Sequence, residues 1–293
     1  MDGIGSNLVL SATHFNVDYV NTESNLIDNC ISKYIENKSY LDYDITYITD
    51  LGLEKDTAKL VSGTLNMNLR LLDHHLTNLF LNEYHFAYIR THLLNKEKEE
   101  EVTCGSELCF YEFYDFIDEK YRDNLKEFIY KIKLYDTWLW KKHEDLEALY
   151  LSRLLNLIGL NKFIEDSIEL KYDYKKLLNK YKMILAIEDK KINQYFDDKN
   201  SQIYPCIING YKVGVVFAEQ YISELGNELS KRNPKFDLIA LVQHNKVMYR
   251  TIKDTDHCLN LAIKYTGGGQ KKCAGNYLPK DITISLINSI FNK

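Results

Sequence analysis

Short apolar runs alternate with longer stretches of helical spacing over the first half of the chain. Leu8–Ala12 is a short apolar run with β-branched character, followed at once by polar residues, and reads as a buried strand before a functional loop. Between 22 and 38, Leu26, Ile27, Cys30, Ile31, Tyr34 and Ile35 recur at helical spacing. Ile45–Thr49 reads as a second strand, ending in Asp50-Leu51-Gly52. Glu54–Ser62 reads as a short helix, and Leu69–Leu72 as a third strand ending in Asp73-His74-His75. Strands alternating with helices predict an α/β fold with a parallel sheet and helices on its faces. Ligands bind such sheets beyond the carboxyl ends of the strands, so the polar clusters after the three runs are expected to converge.

Further along, Glu107–Phe116 and Asn124–Tyr135 have helical spacing. The stretch from about 145 to 196 is almost wholly helix-like, with no proline and one glycine, Gly159. After Pro205 the pattern changes. Cys206–Ile208 and Val213–Phe217 flank Asn209-Gly210, a strong hairpin signal. A helix over Tyr221–Lys231, strands over Asp237–Gln243 and Val247–Thr251, and a helix over Leu259–Tyr265 follow. A glycine-rich loop and a last helix near Ile284–Phe291 complete a smaller α+β domain. The expected organisation is a first domain over 1–160, a helical linker over 161–200 and a second domain over 201–293.

Composition narrows the function. The chain has 293 residues, 45% hydrophobic and 27% charged, which is ordinary globular composition. Its formal net charge of −5 argues against a nucleic-acid binder that relies on bulk charge. A polyanion would have to be held by a local site or by metal ions. No apolar run approaches the ~18 residues of a membrane span, and Met1–Leu10 lacks a basic leader, so neither a membrane nor a signal peptide is expected. The six cysteines form no CxxC pair and match no zinc finger, which suits buried small hydrophobes in a reducing cytosol and a cytoplasmic location.

The candidate chemistry sits at the predicted strand ends: His14, Asn16 and Asp18; Asp50; Asp73, His74 and His75; and Asp136 within Tyr135-Asp136-Thr137-Trp138. Imidazole and carboxylate together suit divalent Mn²⁺, Fe²⁺ or Zn²⁺. A carboxylate can bridge two such ions, and ions about 3.5–4 Å apart can activate water and stabilise both ends of a phosphoryl displacement. Taken singly, each residue has a blander reading, such as a helix-capping aspartate; the ordered set carries the signal. Trp138 and Trp140 read as core rather than as stacking platforms.

Asp73-His74-His75 after Leu69–Leu72, with Thr13-His14-Phe15-Asn16-Val17-Asp18 upstream, resembles the DHH phosphoesterase superfamily. More narrowly, the chain is similar to its short-RNA exonucleases of the nano-RNase B type and its cyclic-nucleotide phosphodiesterase-like proteins. Ile48-Thr49-Asp50, Thr103–Leu108, Tyr135–Trp138 and Ile222–Gly226 each resemble a family segment. Tyr265–Gly275, with Gly267-Gly268-Gly269-Gln270, resembles the signature loop of the associated DHHA1 domain.

The resemblance implies a metal-binding catalytic domain, a substrate-binding domain and two divalent ions, Mn²⁺ first, with Mg²⁺ or others as options. His14, Asn16 and Asp50 would hold the first ion; Asp18, Asp50, His74 and Asp136 the second, with Asp50 bridging. His75 would contact the phosphate and Asp73 would orient a histidine, while Arg250 and the Gly267, Gly268, Gly269 and Gln270 loop would hold substrate across a cleft. Asn16 stands where the family usually has aspartate, and Gln270 where it has histidine, which weakens the first ion and removes a proton-transferring group. The implied activity is hydrolysis of short RNA or DNA oligonucleotides, in the manner of a 3′–5′ exonuclease, or of small nucleotides. The alternatives are a weakened nucleotide-sequestering protein and a pyrophosphatase-like hydrolase. A homodimer is left open.

Overall fold

The structure is a computed structural model and describes residues 1–64, 66–94 and 98–279. The helix expected near Ile284–Phe291 lies outside the described residues. The chain divides into two compact units, Met1–Leu185 and Ala186–Lys293.

In chain order the first unit carries α1 (Asp2–Ser11), α2 (Ile27–Glu36), β1 (Thr46–Thr49), α3 (Lys55–Gly63), β2 (Leu69–Asp73), β3 (Ala87–Ile89), β4 (His92–Leu94) and β5 (Glu100–Val102). It continues with α4 (Gly105–Glu112), α5 (Glu119–Asp136), α6 (Leu139–Lys142), α7 (Leu146–Ile158), α8 (Leu160–Glu169) and α9 (Tyr174–Lys180). α10 (Lys182–Ser201) crosses the boundary between the units. The sheet β1-β2-β3 is parallel, with Ile48 beside Leu71 and Asp73 beside Ile89. Successive strand residues point to opposite faces, and both faces are covered. Ile48, Leu69 and Leu71 pack with Ile27, Ile31, Ala58 and Val61 of α2 and α3. Tyr47 and Leu72 pack with a helical core of Leu8, Val9, Phe110, Phe113, Phe128 and Leu154. Phe163, Ile164 and Leu177, from the stretch expected to be a linker, also lie in that helical core.

One expected strand is corrected. Leu8–Ser11 belongs to α1, and the third strand of the sheet is Ala87–Ile89. α1 packs against α4, α5 and α8, and Leu8 and Val9 are wholly buried. A short continuous apolar run is what both a buried strand and a buried helix segment require, so periodicity alone cannot separate them.

The second unit adds β6 (Tyr204–Ile208), β7 (Tyr211–Phe217), α11 (Ile222–Arg232), β8 (Leu238–Val242), β9 (Lys246–Arg250), α12 (His257–Lys264), β10 (Gly268–Gln270) and β11 (Cys273–Tyr277). Its sheet runs β10-β11-β9-β8-β7-β6, parallel only between β7 and β8. Alternation again covers both faces. Val216, Ile239 and Leu241 meet Leu225 and Leu229 of α11, while Val213, Leu238, Ala240 and Tyr249 meet Cys258, Leu261 and Ala262 of α12. Asn209 and Gly210 close the β6–β7 hairpin with positive φ at both positions, 52° and 83°, as a two-residue type I′ turn demands. All six cysteines are free. Among the described residues no helix is long and apolar enough to cross a membrane.

Candidate metal centre

Four element ends in the first unit bring their polar residues together. Asp2 opens α1, Asp136 closes α5, Asp50 follows β1, and His74 and His75 follow β2. Asp50 turns with φ 61°, in the left-handed region that aspartate enters more readily than most residues. Its N–H donates to Leu72 O at 2.9 Å, which fixes the turn against the sheet.

His74 Nε2 is surrounded by carboxylates: Asp50 Oδ1 and Asp136 Oδ2, each at 3.4 Å, and Asp2 Oδ2 at 3.6 Å. The nitrogen is buried and has no hydrogen-bond partner. Donors held about 2.1 Å from a shared ion lie roughly 3.0–3.4 Å from one another, so the Asp50 and Asp136 separations fall at the upper end of a coordination-shell edge and the Asp2 separation just beyond it, all longer than good hydrogen bonds. Two sets of imidazole and carboxylate groups that suit a divalent ion of the Mn²⁺ kind meet at His74: Asp2, His74 and Asp136, and Asp50, Asp73, His74 and His75. The electrostatics agree. Burial pushes Asp50 up to about 6, with Asp2 and Asp136 adding to it and His74 opposing. Asp136 is raised by burial and by Asp2. Burial works against a charged His74 ring, yet Asp50, Asp2 and Asp136 outweigh it and draw the ring up to about 9. The cluster attracts positive charge.

Asp2 is held by α4. Its Oδ2 and Oδ1 accept from the N–H groups of Gly105 at 2.6 Å and Ser106 at 2.8 Å. Cys104 gives that helix no side-chain cap, so the buried Asp2 carboxylate satisfies donors that would otherwise be orphaned. The helix start can approach this closely only because residue 105 is glycine. A Cβ there would sit 2.8 Å from Asp50 Cβ.

Asp73 is fully buried and accepts from Asn78 Nδ2 at 2.7 Å. It also lies 2.7 Å from His75 Nδ1. Burial pushes its pKa up, but His75 and Asn78 prevail and hold it below the usual carboxylate range. Asp73 is therefore an acceptor only, and His75 Nδ1 is the donor. The same bond raises the His75 pKa. The His75 side chain is half-exposed, and its Nδ1 lies 4.0 Å from Asp50 Oδ1.

Three expected ligands are not brought to this cluster. His14 lines a separate pocket of about 360 Å³ with Phe15, Phe116, Asp118 and Arg122. Asn16 is exposed. Asp18 accepts from Tyr43 Oη at 3.0 Å. The cause is the misread strand. These residues follow the C-terminal end of α1, whereas the cluster takes Asp2 from its N-terminal end, and a ten-residue helix is about 15 Å long. Asp2 was missed because it stands before the apolar run rather than after it.

In the second unit Arg250 is buried, its Nη1 donating to Tyr249 O at 3.0 Å and its Nη2 to Ser223 Oγ at 3.1 Å. The glycine segment is a hairpin strand rather than a loop. Gly268, Gly269 and Gln270 pair with Gly275, Ala274 and Cys273. Gly267 abuts Gly275 O, where a Cβ would come to 2.1 Å, while Gly268 has open space. Lys271 and Lys272 pair at the surface with Asp256 and Asp254.

No family model matches the chain. Among curated proteins it is similar to the oligoribonuclease NrnB of Bacillus subtilis, with 27% identity over 283 residues, covering 94% of this chain and 70% of that protein. Among solved structures, an exonuclease RecJ bound to manganese matches with a TM-score of 0.55 at 11% identity, covering 99% of this chain and 86% of that one. A pGpG-specific phosphodiesterase, PggH of Vibrio cholerae, matches with a TM-score of 0.54 at 12% identity, covering 99% and 95%. At these identities the structural likenesses speak for the fold.

Proposed function

We propose that the chain is a member of the DHH/DHHA1 phosphoesterase superfamily and a metal-dependent hydrolase of phosphodiester bonds in short oligonucleotides or small nucleotides, a reading supported by its likeness to the oligoribonuclease NrnB. The observation that carries this reading is the buried, unpartnered His74 Nε2 among the carboxylates of Asp2, Asp50 and Asp136. Asp2, His74 and Asp136 would hold one divalent ion, and Asp50, which faces both His74 and His75, would help to hold a second. Bound metal supplies a Lewis acid for the phosphoryl group and a nucleophile at neutral pH.

The chain's own groups do the rest. Asp73 fixes the His75 ring through Nδ1, which leaves Nε2 as its free nitrogen. With its pKa raised, the ring carries a proton more readily than an ordinary histidine and donates to a phosphoryl or leaving-group oxygen. Asn78 keeps Asp73 in place, so the ring does not have to be ordered when substrate arrives. In the second unit we assign phosphate binding to Arg250, whose bonds to Tyr249 O and Ser223 Oγ orient the guanidinium without neutralising it. We assign the open backbone at Gly268 to the same task.

The test is incubation of the purified chain and Mn²⁺ with di- to pentanucleotides, cyclic mono- and dinucleotides, pAp and pyrophosphate. Release of mononucleotides from short oligonucleotides, or opening of a cyclic diester, supports the reading. Binding without turnover would favour a sequestering protein, and cleavage of pyrophosphate alone would overturn the phosphodiesterase assignment.

A further inference from the structure

α5 ends at Asp136, whose carboxylate faces His74 Nε2. Thr137 caps the helix, and Trp138 follows in the left-handed region at φ 61°, its N–H donating to Tyr135 O. That position after a helix is usually glycine, because only glycine takes it without steric cost. A bulky residue there is an outlier, and such outliers persist where surroundings hold them, often at ligand sites.

Burial does not account for this one. Trp138 is 48% exposed, whereas Trp140 is 8% exposed and belongs to a small core with Leu134, Ala148 and Leu149. The reading of both indoles as core is therefore right for Trp140 alone. The Trp138 ring is nevertheless positioned. Lys141 Nζ lies 4.9 Å from its centroid, and the Trp140 ring lies 6.2 Å away, tilted by 32°. An amphipathic, half-open indole is thus kept in a strained turn where glycine would be easier. It stands two residues beyond a proposed metal ligand, a backbone span of at most about 7 Å.

We propose that Trp138 is the stacking platform for the nucleobase next to the scissile phosphodiester. This rests on the phosphodiesterase reading and adds to it a substrate-contacting residue. Stacking on an indole needs only the π-face that every base has, so the platform favours nucleotides over other phosphate esters without selecting among bases.

The full-length chain with Mn²⁺ provides the test. Trp138→Gly suits the positive φ, so loss of folding does not confound it. It should raise KM for an RNA dinucleotide by about 5- to 100-fold, the scale of a lost base–aromatic stack, with kcat and the Mn²⁺ isotherm little changed. Trp138→Phe should restore most of the loss, and an abasic dinucleotide analogue should be indifferent to all three side chains. The chain has only two tryptophans, so quenching of intrinsic fluorescence by AMP should occur in the wild type and vanish in Trp138→Phe. An unchanged KM and quench in the variants overturns the proposal. If the wild type hydrolyses no diester, the functional reading falls, and the quench alone decides whether the platform exists.

Discussion

Asp2 has two tasks at once. Its oxygens accept from the first two N–H groups of α4, and one of them lies 3.6 Å from His74 Nε2. Asp2→Asn keeps the size but removes a charge from the ion's surroundings. Calorimetric titration with Mn²⁺ should show at least about a tenfold loss of affinity, while Asp18→Asn should leave the isotherm unchanged. Asp73→Asn acts differently. It loosens the His75 ring while leaving the side chains of Asp2, Asp50, His74 and Asp136 unchanged, so kcat should fall about 10- to 100-fold with a smaller loss of Mn²⁺ affinity. Asp50, Asp73, His74, His75 and Asp136 were legible in the sequence, because each stands at the end of an apolar segment inside a segment resembling a family motif. Asp2 was not. Its only local mark is Asp2-Gly3-Ile4-Gly5-Ser6, and the reason for Gly5 is tertiary: a Cβ there would meet Ser106 Cβ at 2.6 Å. Contacts between residues a hundred positions apart leave no spacing to read.

Elements were legible to the degree that local chemistry decides them. The Asn209-Gly210 turn carries its own backbone preference and formed the expected hairpin. α1 does not, since packing on several sides removes the amphipathic signature that would have marked it as a helix. The start of α4 is the most constrained element boundary. Gly105→Ala would place a methyl group 2.8 Å from Asp50 Cβ and 3.0 Å from its Cα. Denaturant unfolding should report a loss of about 1–3 kcal/mol, with weaker Mn²⁺ binding as Asp50 shifts. Among α8 and its neighbours, Asp166 is wholly buried against Lys162 at 2.8 Å and Lys180 at 3.0 Å. Burial alone would raise its pKa, but these lysines and Tyr181 lower it to about 2. A depressed carboxyl stabilises the fold above its ordinary pKa, and that contribution is lost as pH falls through the folded value. Urea midpoints of the wild type and Asp166→Asn should therefore differ at pH 5 and converge towards pH 2.

For the whole molecule, a net charge of −5 means that an anionic substrate is drawn in by local charge only. All four residues proposed to hold the metal lie in the unit Met1–Leu185, which has its own core. Mn²⁺ should accordingly raise only the calorimetric transition that belongs to this unit, by mass action, and Asp50→Asn should abolish the shift. The central claim is that this one carboxylate–imidazole centre makes the chain a metal-dependent phosphodiesterase. The most direct measurement is hydrolysis of an RNA dinucleotide by the wild type with Mn²⁺, by the same protein stripped with EDTA, and by Asp50→Asn with Mn²⁺. Turnover in the first, and loss of about a thousandfold or more in the other two, is the predicted result. Turnover that survives both EDTA and Asp50→Asn would contradict the account.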